Sequence, residues 1–117
     1  MSNTQRRTQF LCMLATLIKF AEENYIELIC ADFFRTTARQ KELFDEGKSK
    51  CDGTNIKSQH QRWLAADMYI VEDGKLITDS KEYTQLGMRW ESMGGTWGGR
   101  WPTLHDIYHF ELDNDDV

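Results

Sequence analysis

Leu64-Ala65-Ala66-Asp67-Met68-Tyr69-Ile70-Val71-Glu72-Asp73-Gly74-Lys75 is the stretch on which the fold turns. Its apolar and aromatic residues suit a pleated, half-buried surface, so Leu64 to Val71 reads as a strand. Asp73-Gly74 supplies the positive backbone angles of a type I′ turn. Glu72 to Lys75 therefore closes a hairpin, and Lys75 to Thr78 returns as the partner strand. The segments on either side must then cover this antiparallel pair.

On the N-terminal side, Phe10, Leu11, Leu14, Leu17, Ile18 and Ala21 recur at helical spacing and predict an amphipathic core helix over Gln5 to Asn24. Ser2 to Thr4 offer its caps. Ile26 to Phe34 alternates poorly and reads as a strand buried on both faces. A second helix is expected from Thr36 or Thr37 to Glu46, stopped at Gly47, followed by a polar loop over 47–57. On the C-terminal side, Asp79 or Ser80 caps a third helix with Tyr83, Leu86 and Trp90 on one face. A glycine-rich turn over 94–99 and a strand near Ile107 to Leu112 complete an α+β domain, a small antiparallel sheet packed with helices.

A chain of 117 residues suits one domain over 1–117, with 1–25 as an N-terminal helix and 113–117 as an acidic tail. Its 40% hydrophobic and 28% charged residues argue against disorder. The net charge of −5 disfavours nucleic acid as a partner, and no apolar run is long enough for membrane insertion. Arg6 and Arg7 before the apolar stretch to Phe20 imitate a signal peptide, but Lys19 interrupts it and no small-residue cleavage site follows. Synthesis in a (host) cytoplasm without a signal peptide is the expectation. Cys12, Cys30 and Cys51 have no CxxC spacing and suit a reducing compartment. Cys12 and Cys30 are expected to be buried, and Cys51 inert in its loop.

The chemistry is confined by having three histidines, His60, His105 and His109. A catalytic zinc site needs about three nitrogen or oxygen ligands, an open water position and a general base nearby. His60 at the end of a loop can fold back over Asp67 in the following strand, although that spacing alone favours a structural reading. His105-Asp106-Ile107-Tyr108-His109 admits two readings. On a helix it imitates HExxH with Asp for Glu. Its Ile, Tyr and Phe content instead favours a loop and strand, with Asp106 at the strand mouth and His109 inside.

Ser58-x-His60 with Ala65-x-Asp67, then Trp97-Gly98-Gly99, then Asp106-x-x-His109-Phe110-Glu111, resembles the M15 family of zinc peptidases. The family includes D-alanyl-D-alanine carboxypeptidases and dipeptidases, and L-alanyl-D-glutamate endopeptidases of phage endolysins. The likeness runs from about Ile26 to Glu111. It implies a Hedgehog-like α+β fold, zinc held by His60, Asp67 and His109, and Asp106 as general acid/base. Arg35 matches the family's arginine and would bind or polarise substrate; a guanidinium there could steady an oxyanion or grip a carboxylate. Ser58 and Trp97 are expected beside the substrate, Trp97 and Trp101 as cleft packing, His105 at the rim, and Glu111 either orienting His109 or facing solvent. Trp63 stands where the family commonly has glycine and is expected to reshape the pocket wall. Asp106, where many carboxypeptidases carry Glu, is familiar among endolysin-like members.

The resulting expectation is a monomeric zinc metallopeptidase acting on bacterial peptidoglycan stem peptides at the cell wall, as an L-alanyl-D-glutamate endopeptidase. The alternatives are a D-alanyl-D-alanine carboxypeptidase or dipeptidase, and a zinc-stabilised wall-binding module without turnover.

Overall fold

The computed structural model describes residues 1–114; of the expected acidic tail, Asp115, Asp116 and Val117 lie outside the described residues. Helix α1 (Asn3–Glu23) leads into strand β1 (Glu27–Asp32) and helix α2 (Thr37–Asp45). A 3-10 turn at Gln59–Arg62 precedes β2 (Ala65–Glu72), β3 (Lys75–Ile77) and α3 (Lys81–Ser92). Strand β4 (Thr96–Trp97), a second 3-10 turn (Gly98–Arg100) and β5 (His109–Glu111) follow.

All strand pairs are antiparallel, in the order β1-β2-β5-β4, with β3 also paired to β2. The hairpin turns where expected, through Asp73 at φ 52° and Gly74 at φ 75°. The central strand β2 is thus the scaffold against which the chemistry is registered. Asp67 faces His109 across β5, and faces Asp32 across β1 beside a register shift between Cys30 and Asp32. Such irregularities re-aim side chains where a ladder borders a site.

The core forms where α1 and α3 cover the sheet. Phe10, Leu14, Leu17 and Ala21 of α1 meet Tyr83, Leu86 and Trp90 of α3 over Ala66, Met68, Ile70 and Phe110. The α1 stripe is narrower than its sequence suggests: Met13 is buried, whereas Leu11 and Ile18 are 60% and 46% exposed. They sit beside the inward stripe, where neither sheet nor α3 reaches them. Tyr83 ties the layers together, its hydroxyl accepting from the Ile70 amide at 2.9 Å and donating to the Ile77 carbonyl.

Strand β1 departs from the expectation of burial on both faces. It pairs with β2 alone, at the edge of the sheet, and most of its residues are exposed. For the same reason Cys30 is exposed, and Cys12 is exposed on the outer side of α1.

Glycine has a spatial role on α3. An added Cβ at Gly87 would stand 2.1 Å from the Trp97 ring. Gly87→Ala is therefore expected to destabilise the fold by about 1–3 kcal/mol through overpacking. Urea unfolding reads this as a lower midpoint at unchanged slope; an unchanged midpoint would mean that the Trp97 ring can move aside freely.

Candidate metal centre and its cleft

His60, Asp67 and His109 come together from three elements, with one potential ligand atom from each lying within 4.8 Å of the others. Asp67 and His109 meet because β2 and β5 place them in register. His60 arrives on the 3-10 turn, whose start is capped by Ser58: the Ser58 hydroxyl accepts from the Gln61 amide, and the Gln61 side chain returns a bond to the Ser58 amide. This capping box fixes the turn that carries the histidine.

The histidine rings are oriented from behind. His60 Nδ1 donates to the Phe33 carbonyl at 2.9 Å, because a carbonyl can only accept. Its Nε2 is then left as a bare lone pair, buried, without a hydrogen-bond partner, and 3.3 Å from Asp67 Oδ2. A lone pair facing a carboxylate oxygen is unfavourable unless a cation or proton lies between them. The donor set therefore fits a metal ion. Two imidazoles and one carboxylate in a small cluster suit zinc and leave room for an open position.

His109 bridges two carboxylates, Nδ1 to Asp67 Oδ1 at 3.0 Å and Nε2 to Glu111 Oε1 at 2.7 Å. Glu111 thus orients the ring rather than facing solvent, the usual support behind a ligating imidazole. Burial works against the charged ring, but the bonds to Asp67 and Glu111 outweigh it and push its pKa from the ordinary 6.5 up to about 9. Burial alone would raise Asp67; the hydrogen bond and charge of His109, with His60 close by, overcome this and hold the carboxyl well below the usual range.

A cleft of about 810 Å³ opens at this cluster and also admits Arg35, Ser58, Trp101 and Asp106. Asp106 is brought in by a close backbone approach. An added Cβ at Gly98 would lie 2.4 Å from the Asp106 carbonyl, and the Asp106 amide donates to the Gly98 carbonyl at 3.1 Å. Burial, then the charge of Asp67, push the Asp106 carboxyl upward, while its Oδ1 accepts from the Tyr108 amide at 3.1 Å. Arg35 is clamped: Nε and Nη2 donate to Asp32 Oδ2 at 3.2 and 2.7 Å, and Nη1 donates to Gln40 Oε1 at 3.0 Å. Its Nη2 also lies 3.5 Å from Asp67 Oδ2.

Trp97 is not a cleft residue. It is 4% exposed, packs in the core between Gly87 and Gly99, and donates from Nε1 to the Ile107 carbonyl at 2.9 Å. The glycines on either side leave a slot that only a flat ring fills. Trp101 walls the cleft instead, tilted against His109 at 4.9 Å between ring centroids. Trp63 also lies away from the cleft lining. It ends the 3-10 turn in the left-handed region, where glycine is the usual occupant, and stacks on Phe34 at 4.3 Å. His105 is exposed. Cys51 lines the cleft, and burial raises its thiol pKa.

Sequence reasoning missed Asp32 and Gln40, the two groups that hold Arg35. Their only signal was proximity to Arg35 in the chain, which an exposed helix-start arginine shows equally well.

The profile of the D-alanyl-D-alanine carboxypeptidase branch of M15 peptidases matches residues 52–112, more than half of the chain. The chain belongs to this family of metallopeptidases. Among solved structures, it is similar to the L-Ala D-Glu endopeptidase ChiX of Serratia marcescens, at 26% identity and a TM-score of 0.68, covering 86% of this chain and 77% of that one. The vancomycin resistance D,D-pentapeptidase VanY of a VanB-type cassette, in complex with Zn(II), has 20% identity and a TM-score of 0.64 over 89% of this chain and 70% of its own. The LD-carboxypeptidase LdcB has 18% identity and a TM-score of 0.61; the match covers 89% of this chain and 57% of LdcB. The latter two share the fold.

Without metal, stability from the charged His109 ring is fully present below pH 6.5 and is lost as pH rises through about 9. A metal held through His109 Nδ1 would need that nitrogen unprotonated. Zinc loading at about pH 7 should therefore release about one proton per ion, measured by calorimetry in buffers of different ionisation enthalpy. The release should fall as pH rises above about 9, and identical heats in all buffers at neutral pH would count against it.

Proposed function

We propose that this chain is a zinc-dependent peptidoglycan peptidase of the endolysin type, cutting the L-alanyl-D-glutamate bond of the stem peptide. The observation that carries the reading is the buried, partnerless Nε2 of His60, aimed at Asp67 in the cleft that also holds Asp106 and Arg35. Similarity to an L-Ala D-Glu endopeptidase supports the choice of bond.

In this reading His60, Asp67 and His109 hold zinc, which when bound acidifies a water and polarises the scissile carbonyl. Asp106 takes the attacking water's proton and passes it to the leaving amine, a role suited to a carboxyl whose pKa burial has raised. Arg35, held rigid by Asp32 and Gln40, positions the substrate and faces charge developing on the carbonyl oxygen. Ser58 and Trp101 bound the substrate's path. No helix among the described residues is long and apolar enough to cross a membrane, and the wall is the proposed place of action.

The second reading, a D-alanyl-D-alanine carboxypeptidase, draws on the description of the matching family. Digestion of purified sacculi followed by mass analysis separates the two. New amino-terminal D-glutamate, abolished by a chelator and restored by zinc, is the expected product. Release of free D-alanine alone would defeat the endopeptidase assignment, and zinc binding with no hydrolysis of any muropeptide would favour a wall-binding module.

Asp106→Asn keeps an oxygen for the Tyr108 amide but cannot take up a proton. It should lower kcat by about 10²–10⁴-fold with zinc stoichiometry intact. A variant with undiminished lytic activity would remove Asp106 from the mechanism.

A further inference from the structure

The loop between α2 and the first 3-10 turn forms one wall of the cleft, and its cations have no part in the chemistry above. Lys48, Lys50 and Lys57 all line the cavity. Lys48 is paired with Glu46 at 3.3 Å. Lys50 and Lys57 have no carboxylate partner among the described residues; the one polar contact of the Lys50 ammonium is to the Thr103 hydroxyl, 2.6 Å away on the opposite lip.

The backbone beneath these lysines is built rather than loose. Gln40 is fully buried and donates to Ser49 Oγ at 2.9 Å and to the Cys51 carbonyl at 2.8 Å, while its oxygen holds Arg35. Asp52 Oδ1 accepts from the amides of Thr54, Asn55 and Ile56 at 2.9–3.0 Å. Gln61 Nε2 donates to the Gly53 carbonyl at 3.0 Å. One buried amide thus fixes both Arg35 and the segment bearing Lys50. A wall ordered before binding spends less of its interaction energy on ordering itself.

The charge pattern gives the wall a ligand. The chain carries a net −5, and Asp67, Asp106 and Glu111 crowd the metal centre. Arg35 and a bound metal would offset those carboxylates at the reacting bond, so attraction for an acidic group away from that bond falls to cations on the wall. We propose that Lys50 and Lys57 form a cationic subsite that reads a free side carboxylate on the substrate, outside the bond that is cut. This rests on the peptidoglycan reading, in which the D-glutamate of an L-alanyl-D-glutamate pair has one carboxyl in the chain and one that is free or amidated.

The test uses the full chain with zinc and acetylated L-Ala-D-Glu-L-Lys peptides whose scissile amide is N-methylated, so that binding is read without turnover. The D-glutamate side carboxyl is either free or amidated, always with an amidated C-terminus. The free acid should bind about tenfold more tightly, the worth of about one charge-assisted contact at a partly solvated site. Lys50→Met and Lys57→Met should shrink that ratio toward one, whereas Lys50→Arg and Lys57→Arg should preserve it. If Lys50 served only as a strut to Thr103, its loss would weaken both peptides equally and leave the ratio intact; that outcome overturns the subsite. So does a wild-type ratio near one. Cleavage of the unmethylated peptides is scored separately, so a chain that binds selectively without cutting would fail the enzymatic reading and keep this one.

Discussion

The carboxylate of Asp67 sits below the surface of the cleft, between strands β1 and β5, with two imidazoles and a guanidinium gathered on its two oxygens. A buried charge is tolerable only when cations and donors replace the water it has lost. That requirement disciplines the surrounding structure. His109 must stand opposite on β5, His60 must arrive on a capped turn with its ring tethered to Phe33, and Arg35 must be aimed from beyond β1. A second tier then supports the first: Glu111 behind His109, and Asp32 and Gln40 around Arg35.

Close backbone approach is the other constraint. Gly98 lets the second 3-10 turn lie against Asp106, so the candidate base is placed by main chain rather than by a flexible side chain. Gly87 and Gly99 form a slot for the Trp97 ring, anchoring the same turn to α3 from the opposite side. The cleft rim therefore inherits its rigidity from the core. Trp63 shows the reverse economy. A bulky residue in the left-handed region costs roughly 1–2 kcal/mol, and its stack on Phe34 offsets part of that cost.

The hairpin, the three helices and the α+β class were legible because each depends on local signals: Asp73-Gly74, periodic apolar residues, caps among Ser2 to Thr4, and the stop at Gly47. Burial was less legible. Strand β1 has the composition of an inner strand yet lies at the edge, since its neighbours are fixed by pairing partners far along the chain. Leu11 and Ile18 fit the helical period of α1, but the covered stripe is set by where the sheet ends. At the site, His60, Asp67, Asp106 and His109 were singled out by the resemblance to M15 peptidases, spacing alone having favoured a structural reading for the first two, and the structure brings all four into one cleft. Trp97 and Trp101 could not be told apart by composition; the space left by Gly87 sends one inward and leaves the other at the wall. Gln40 was invisible, because a helical glutamine reads as surface until the loop that folds over it is known.

Strand β5 is only three residues long, and its alternation sends His109 and Glu111 toward the site and Phe110 into the core. It also follows His60, Asp67 and Asp106 in chain order. Proteins are made from the N-terminus at about 5–20 residues per second, so the ribosome delivers the histidine of β5 after every other member of the cluster. Until that strand docks, the candidate metal cluster has only one imidazole and one carboxylate in place. The candidate metal cluster is therefore the last part of the site to close, completed only when the shorter of the two strands flanking Asp67 adds its histidine.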